Sequence, residues 1–322
     1  MIGQSLEGRA GYLPLVSAIT PTHNGSSYVA ETIESVLAQD YPRIETIVAD
    51  DGSTDDTPEI LRRYRDRIRI LRLPHRGENS ARNAAIGACT GDYIAFLDHD
   101  DLWLPGKISR QVAAFQAHPL AGLCHTGYQR FDVDGPGRAI VHPDGSYQGR
   151  CFEKEFYKNG IGALTVMVRR NALPPHVFQE DIQITADYAL WLDILYEREA
   201  IYIPTVLAMH RLHSGQITHG RRQRWKIYEA VSRMRLLARV RDRMSEAQHD
   251  ALRRWTIETL REITCELRRQ GDHGWAALGL HLLRKYGQPV SWTDQLYAAV
   301  YGGLHRLSVK GRSERRYLRL PR

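Results

Sequence analysis

The chain has 322 residues, 43% of them hydrophobic and 25% charged, an ordinary globular composition that supports a sizeable core and excludes a largely disordered chain. No apolar run approaches the ~20 residues of a membrane-spanning helix, and the N-terminal stretch lacks a basic segment followed by an apolar one, so neither a span nor a signal peptide is expected. The net charge of +7 is uneven: residues 221–322 carry 23 Lys/Arg against 10 Asp/Glu and residues 1–220 carry 21 against 27, a neutral-to-acidic body with a basic C-terminal region.

The first hundred residues alternate strand and helix patterns. A strand is predicted over 15–20, then a helix over 28–38 with Val29, Ile33, Val36 and Leu37 at helical spacing. A second strand over 44–49 runs into the turn composition Asp50-Asp51-Gly52-Ser53. Thr57 as N-cap and Pro58 at the first helical position start a helix to about residue 65. A strand over 68–73, a helix over 80–89 and a strand over 93–97 follow. This order predicts an α/β fold with a mainly parallel sheet flanked by helices and right-handed crossovers. Ligands in such sheets bind outside the carboxyl ends of the strands, where the acids after strands two and four both fall.

The middle of the chain is more mixed. A helix over 104–118, a strand over 121–128 and a loop or hairpin insertion over 132–149 are predicted, then a strand over 163–169. A helix over 188–199 turns Leu190, Trp191, Ile194 and Leu195 inward, and a strand over 201–206 is broken by Pro204. From about residue 221 the pattern is helical. Its apolar stripes are Trp225, Tyr228, Val231, Met234 and Ala238; then Leu252, Trp255, Leu260, Ile263 and Leu267; then Leu296, Tyr297, Val300, Tyr301 and Leu304. The basic stretch 310–322 is expected to be loosely ordered. Two units are expected, 1–220 and a basic helical C-terminal region, 221–322. Cys89, Cys124, Cys151 and Cys265 are far apart and form no CxxC motif, so a disulfide framework or zinc site is not expected, and a reducing cytoplasm fits.

Several clusters can carry chemistry. Asp98-His99-Asp100-Asp101 crowds three carboxylates at a strand end. Such a group repels itself unless cations, hydrogen bonds or water offset the charge, and it suits a hard divalent cation; a solvated acidic turn before a helix is the other reading. In Asp50-Asp51-Gly52-Ser53-Thr54-Asp55, Asp51 can accept from a base or sugar N–H or O–H, or simply cap a turn. Pro21-Thr22-His23-Asn24-Gly25 is a tight polar loop after the first strand, distinct from both GxGxxG and GxxxxGK. That argues against dehydrogenases and P-loop kinases. Arg82, in Ser80-Ala81-Arg82-Asn83, can fork onto a base carbonyl or phosphate, or lie exposed.

The ordered set PTHNG, DDGSTDDT, RGENSARNAAI and GDYIAFLDHDDLWLPGK resembles the family 2 glycosyltransferases of GT-A fold. The likeness is close over about 14–112, the nucleotide-sugar half, and continues weakly through 113–220, the acceptor half. The resemblance implies an inverting enzyme with a nucleotide-sugar donor, usually a UDP-sugar, and a divalent metal, Mn2+ or Mg2+. By it Thr22 and His23, flanked by Pro21 and Asn24, meet the nucleotide, and Asp51 and Arg82 meet the base. Asp98 meets the ribose or a nearby phosphate, His99 lies in the same loop, and Asp100 is the metal ligand. Many relatives have Tyr at the place of His23, which leaves the nucleobase preference open.

Thr185-Ala186-Asp187-Tyr188 resembles the family's acid pair before an aromatic, with Asp187 as catalytic base. Ala186 replaces the first acid, and Glu180 and Asp181 are the fallback. In His210-Arg211-Leu212-His213, either Arg211 or His213 is placed to steady the leaving diphosphate or the metal. Gln223-Arg224-Trp225 has the wrong spacing for a processive synthase. No nucleic-acid module is present, so the basic helices point instead to an anionic membrane surface, a solvated cap or an oligomer interface. Acceptors in the family are often glycans or lipid-linked intermediates of bacterial surface polysaccharide, lipopolysaccharide or glycolipid, assembled at the cytoplasmic face. A sugar-nucleotide pyrophosphorylase and a non-catalytic nucleotide-sugar-binding protein remain as alternatives. The loops around 76–83 and 125–165 are the expected contacts of the donor sugar and carry no readable code.

Overall fold

Residue 16 opens a strand, β1 (Val16–Thr22), in which every residue is buried. A segment buried on both faces needs helices on both sides, and the chain supplies them by crossing over. α1 (Val29–Leu37), β2 (Ile44–Asp50), α2 (Thr57–Arg62), β3 (Arg69–Arg72), α3 (Glu78–Ala88) and β4 (Tyr93–Phe96) follow in strict alternation. β2 and β4 flank β1 and β3 flanks β2, all in parallel. The computed structural model describes residues 13–140, 147–182, 184–216 and 222–308. The stretch 310–322, residues 141–146 of the predicted insertion and the side chains of Gln223 and Leu304 lie outside them.

The second half of the sheet is mixed rather than parallel. β5 (Leu102–Trp103), α4 (Lys107–Ala117), β6 (Ala121–Asp132), β7 (Gly135–Ile140), α5 (Phe152–Lys158), β8 (Met167–Arg169), α6 (Ala186–Glu197) and β9 (Glu199–Arg211) complete the order β3-β2-β1-β4-β8-β6-β9-β5, with β7 paired to β6. β8 runs antiparallel to both β4 and β6, so the sheet changes direction beside β4. β6 and β9 are parallel.

Three local expectations need correcting. Pro204 does not break β9, which continues to Arg211. Pairing with β6 passes from Thr126↔Ile203 to Gly127↔Val206, so Pro204 falls in a register shift where no ladder N–H is needed. Residues 163–165 form a 3-10 turn, and the strand begins only at Met167. The 132–149 insertion begins as the β6–β7 hairpin, and α5 follows it unanticipated.

One buried cluster packs Val16, Ala18, Tyr93 and Ala95 of the sheet with Ile108, Val112 and Phe115 of α4. A second joins Val48 to Val29, Ile33 and Leu61 of α1 and α2. The alternate strand faces thus serve two layers. All four cysteines are free thiols.

The chain separates into two compact units, residues 1–180 with 190–214, and residues 181–189 with 215–322. The second contains α7 (Arg222–Val240), α8 (Glu246–Arg269), α9 (His273–Lys285) and α10 (Trp292–Ser308). Ser245 caps α8 by accepting from the Gln248 amide. Within this unit Tyr228 meets Trp275 edge-on, and Arg268 of α8 pairs with Asp294 of α10 at 2.8 Å. Among the described residues no helix is long and apolar enough to cross a membrane.

Candidate active site

The carboxyl edge of β4 carries the acidic turn. Thr32 of α1 places its hydroxyl 2.8 Å from the His99 carbonyl and 2.9 Å from that of Asp101, fixing the turn to the helix. Gly25 permits this approach, because a Cβ there would stand 2.5 Å from both the His99 ring and Thr22 Oγ1. Asp101 is buried, and its carboxyl is pushed well above the ordinary range by burial and by the charges of Asp100 and Asp98. Its proton is therefore held to higher pH than on an ordinary carboxyl, because a third charge beside Asp98 and Asp100 is disfavoured.

β9 returns to the same turn and brings the late His-Arg-x-His residues with it. His213 Nε2 lies 3.0 Å from Asp100 Oδ2. Arg211 has a different role: its Nε donates to the Asp100 carbonyl at 2.9 Å, and its backbone N–H to Asp101 Oδ1 at 2.9 Å. Its guanidinium pairs with Glu31 and stands 4.7 Å from the Tyr28 ring and 4.5 Å from the Phe131 ring. Arg211 therefore holds the backbone of the acidic turn, and His213 meets its carboxylate. A carboxylate oxygen beside an imidazole nitrogen is a donor set that Mn2+ accepts, and Asp100 alone suits Mg2+, so the residues fit the divalent ion the resemblance implies.

Arg82 connects the turn to α3. It is 9% exposed and bonds Asp98 Oδ1 at 2.7 Å, with Glu78 and Asn79 as further partners and the Phe178 ring beneath it. Burial pushes the Asp98 carboxyl up, but the charge and hydrogen bond of Arg82 outweigh it and hold Asp98 below its ordinary value. Arg82 is thus a buried, paired residue and not an exposed surface one.

The ends of β1 and β2 form the other wall. Asp51 N–H donates to the Thr22 carbonyl at 2.8 Å. Asp51 itself accepts from the Arg76 and Gly77 amides at 2.7 and 2.8 Å, and from His75 Nδ1 at 2.7 Å. Gly52 makes room for that loop: its φ is +68°, and a Cβ would lie 2.8 Å from the His75 nitrogen. His23 donates through Nδ1 to the Asp51 carbonyl at 2.8 Å and stacks on His75, centroids 4.0 Å apart and 16° from parallel. His23, Asp51 and His75 bring possible ligand atoms within 4.8 Å of one another. Both imidazoles donate Nδ1–H to Asp51, however, so the cluster is a hydrogen-bonded stack. Asn24, at φ 51°, accepts from the Thr54 amide at 2.8 Å and closes the loop. Pro21 lies on β1 opposite Ala49. Thr22 Oγ1 is buried with no partner among the described residues.

Sequence reasoning missed His75, Arg76, Tyr28 and Phe131. The signal available for the first two was their place at the start of HRGENSARN, just before the helix that carries Arg82. Asp187 stands partly exposed in the first turn of α6, in the segment 181–189 that groups with the C-terminal helices. In that unit Asp181 is paired to Arg235. Glu180 is exposed.

A parallel half-sheet continued by a mixed one, with Asp98 and Asp100 at the carboxyl edge of β4 and Arg82 reaching them from α3, defines an α/β domain of GT-A architecture. A sequence model of the family described as "Glycosyl transferase family 2" matches residues 17–173. The chain is 32% identical over 234 residues to the Bacillus subtilis (strain 168) teichuronic acid biosynthesis glycosyltransferase TuaG, covering 70% of this chain and 91% of that protein. It is 31% identical over 211 residues to the Escherichia coli UDP-Glc:alpha-D-GlcNAc-diphosphoundecaprenol beta-1,3-glucosyltransferase WfgD, covering 64% of this chain and 81% of the relative. The crystal structure of S. aureus TarS 1–349 with UDP-GlcNAc superposes with a TM-score of 0.61 at 16% identity, covering 94% of this chain and 89% of that one. The chain belongs to glycosyl transferase family 2, and it is a glycosyltransferase.

Proposed function

We propose that the enzyme transfers a sugar, with inversion, from a nucleoside-diphosphate sugar to a hydroxyl acceptor in bacterial surface-glycan assembly. UDP is the first candidate nucleotide. The observation that carries this reading is the Asp98–Arg82 and Asp100–His213 pairing at one sheet edge, 2.7 and 3.0 Å apart respectively. The names of TuaG and WfgD support a polymer or lipid-linked acceptor, and the WfgD name supports a UDP-sugar.

Thr22, whose buried hydroxyl has no partner among the described residues, lies at the nucleotide wall, and His23 offers an imidazole face to the base. Asp51 Oδ1 accepts one loop amide and retains a lone pair for a base N–H. A divalent cation held by Asp100, with His213 beside it, supplies charge neutralisation at the leaving diphosphate when bound. Asp187 takes the proton from the acceptor hydroxyl, whose oxygen bonds the anomeric carbon as the bond to the diphosphate breaks. One displacement inverts that carbon without a covalent sugar–enzyme intermediate.

The test is nucleoside diphosphate release from UDP-glucose, UDP-N-acetylglucosamine and GDP-mannose, with a polyprenyl-diphosphate-linked N-acetylglucosamine as acceptor, with and without Mn2+. One donor consumed, with loss in Asp100→Ala and Asp187→Asn, is expected. Failure of every nucleotide to bind would remove the donor-site assignment.

The basic helical region favours a peripheral contact with an anionic membrane at the cytoplasmic face. Trp292, Leu296 and Val300 stand 74%, 51% and 46% exposed at four-residue spacing on α10. Co-sedimentation with phosphatidylglycerol vesicles at two salt concentrations tests it. Salt-insensitive or absent binding would count against this contact.

A further inference from the structure

Asp187 lies in a nine-residue segment, 181–189, that belongs to the same compact unit as α7–α10. Two arginines of α7 hold that segment. Arg235 forks onto Asp181, with Nη1 3.0 Å from Oδ1 and Nη2 bonded to Oδ2. Arg233, 2% exposed, donates Nε to the Tyr188 hydroxyl at 2.7 Å and pairs with Glu229 at 2.9 Å. Its guanidinium stands 5.3 Å from the Tyr188 ring and 4.9 Å from Trp255 of α8. Asp187 is thus bracketed, with Asp181 anchored before it and Tyr188 directly after.

Between the anchors the backbone is strained. Thr185 is buried at φ +66°, and its Oγ1 finds no partner among the described residues. A β-branched residue in the left-handed region is strained and persists only where its surroundings over-determine it. The Thr185 carbonyl accepts from the Ala189 amide at 3.2 Å, so the strained residue is also the start of α6. Its conformation sets the direction in which the first turn, with Asp187, departs.

We infer that α7 is part of the catalytic apparatus: Arg233 and Arg235 are positioning residues that hold the strained 181–189 segment and thereby aim Asp187. The inference rests on the reading of Asp187 as base, and it gives the basic helical region a role in turnover. It also sets Asp181 aside as the base. Burial raises the Asp181 carboxyl, but the hydrogen bonds and charge of Arg235 outweigh it and keep it below its ordinary value. A carboxylate held that way is a weaker proton acceptor.

The experiment measures turnover with the donor that the panel selects, alongside nucleotide affinity and hydrogen exchange of residues 181–189. Arg235→Gln and Asp181→Asn each lower kcat about 10- to 100-fold, the scale of a small misplacement of a catalytic group, with donor KM within about twofold. The double variant is no slower than either single one, since all three break the same fork. Arg235→Lys recovers part of the rate, and Arg233→Gln lowers kcat in the same way. Exchange across 181–189 rises in each slow variant. Should Arg235→Gln fail to fold, near-isosteric Asp181→Asn decides alone. Normal kcat in Asp181→Asn, with Asp187→Asn inactive, would overturn the positioning role and leave the base standing. Full activity in Asp187→Asn would overturn the base assignment itself.

Discussion

His213 Nε2 stands 3.0 Å from Asp100 Oδ2, although 113 residues separate them in the chain. The contact exists because β9 runs beside β6 and ends at the turn that follows β4. The pair predicts unequal losses. Asp100→Ala abolishes most transfer, whereas His213→Ala weakens Mn2+ about 10- to 100-fold and recovers turnover at raised Mn2+. Titration of activity against Mn2+ for both variants checks this, and equal loss at saturating metal would refute it.

Arg82 is expected to govern the acid limb of donor binding. With Arg82→Gln, burial of Asp98 loses its main opposition, so its carboxyl rises and takes up a proton at higher pH. Nucleotide affinity then falls away at a higher pH than in the wild type. Isothermal titration between pH 4 and 8, a range of about ordinary carboxylate and imidazole values, reads the displacement directly.

Asp51 is predicted to act through the loop it holds. Asp51→Ala leaves the Arg76 and Gly77 amides unmet, at a cost of about 2 kcal/mol in denaturant unfolding, and nucleotide affinity falls with it. Gly52→Ala reproduces the affinity loss, because the new Cβ meets the His75 backbone. Unchanged affinity in both variants would separate this loop from the nucleotide.

Lys107 makes folding stability depend on pH. It is 0% exposed, 2.8 Å from Gln111 Oε1 and 4.3 Å over the Trp103 ring, and burial pushes its ammonium down to about 7. Between about pH 7 and 10 the unfolded chain binds this proton and the folded chain does not. Stability from this group therefore rises with pH across that window, with a slope approaching ~1.4 kcal/mol per unit, and is level below it. Urea unfolding from pH 6 to 10 should show the rise in the wild type and a smaller one in Lys107→Met.

The sequence by itself determined the alternation of strands and helices through β4, because apolar period and turn residues are local properties. It also placed the acids at strand ends, since a carboxylate after a buried strand can only emerge at the sheet edge. The position of Asp98 and Asp100 at that edge was legible for that reason, and the order of the motifs made the family legible. Tertiary structure alone decided the mixed second half-sheet, where pairing depends on strands far apart in the chain. Pro204 was misread because its tolerance depends on the register of β6. The division of labour between Arg211 and His213 also depended on where β9 ends. The clamp of α7 on residues 181–189 had no sequence signal, because an arginine on a basic helix looks solvated until its partner is known. Local pattern encodes which residues can do chemistry; long-range pairing decides which of them meet.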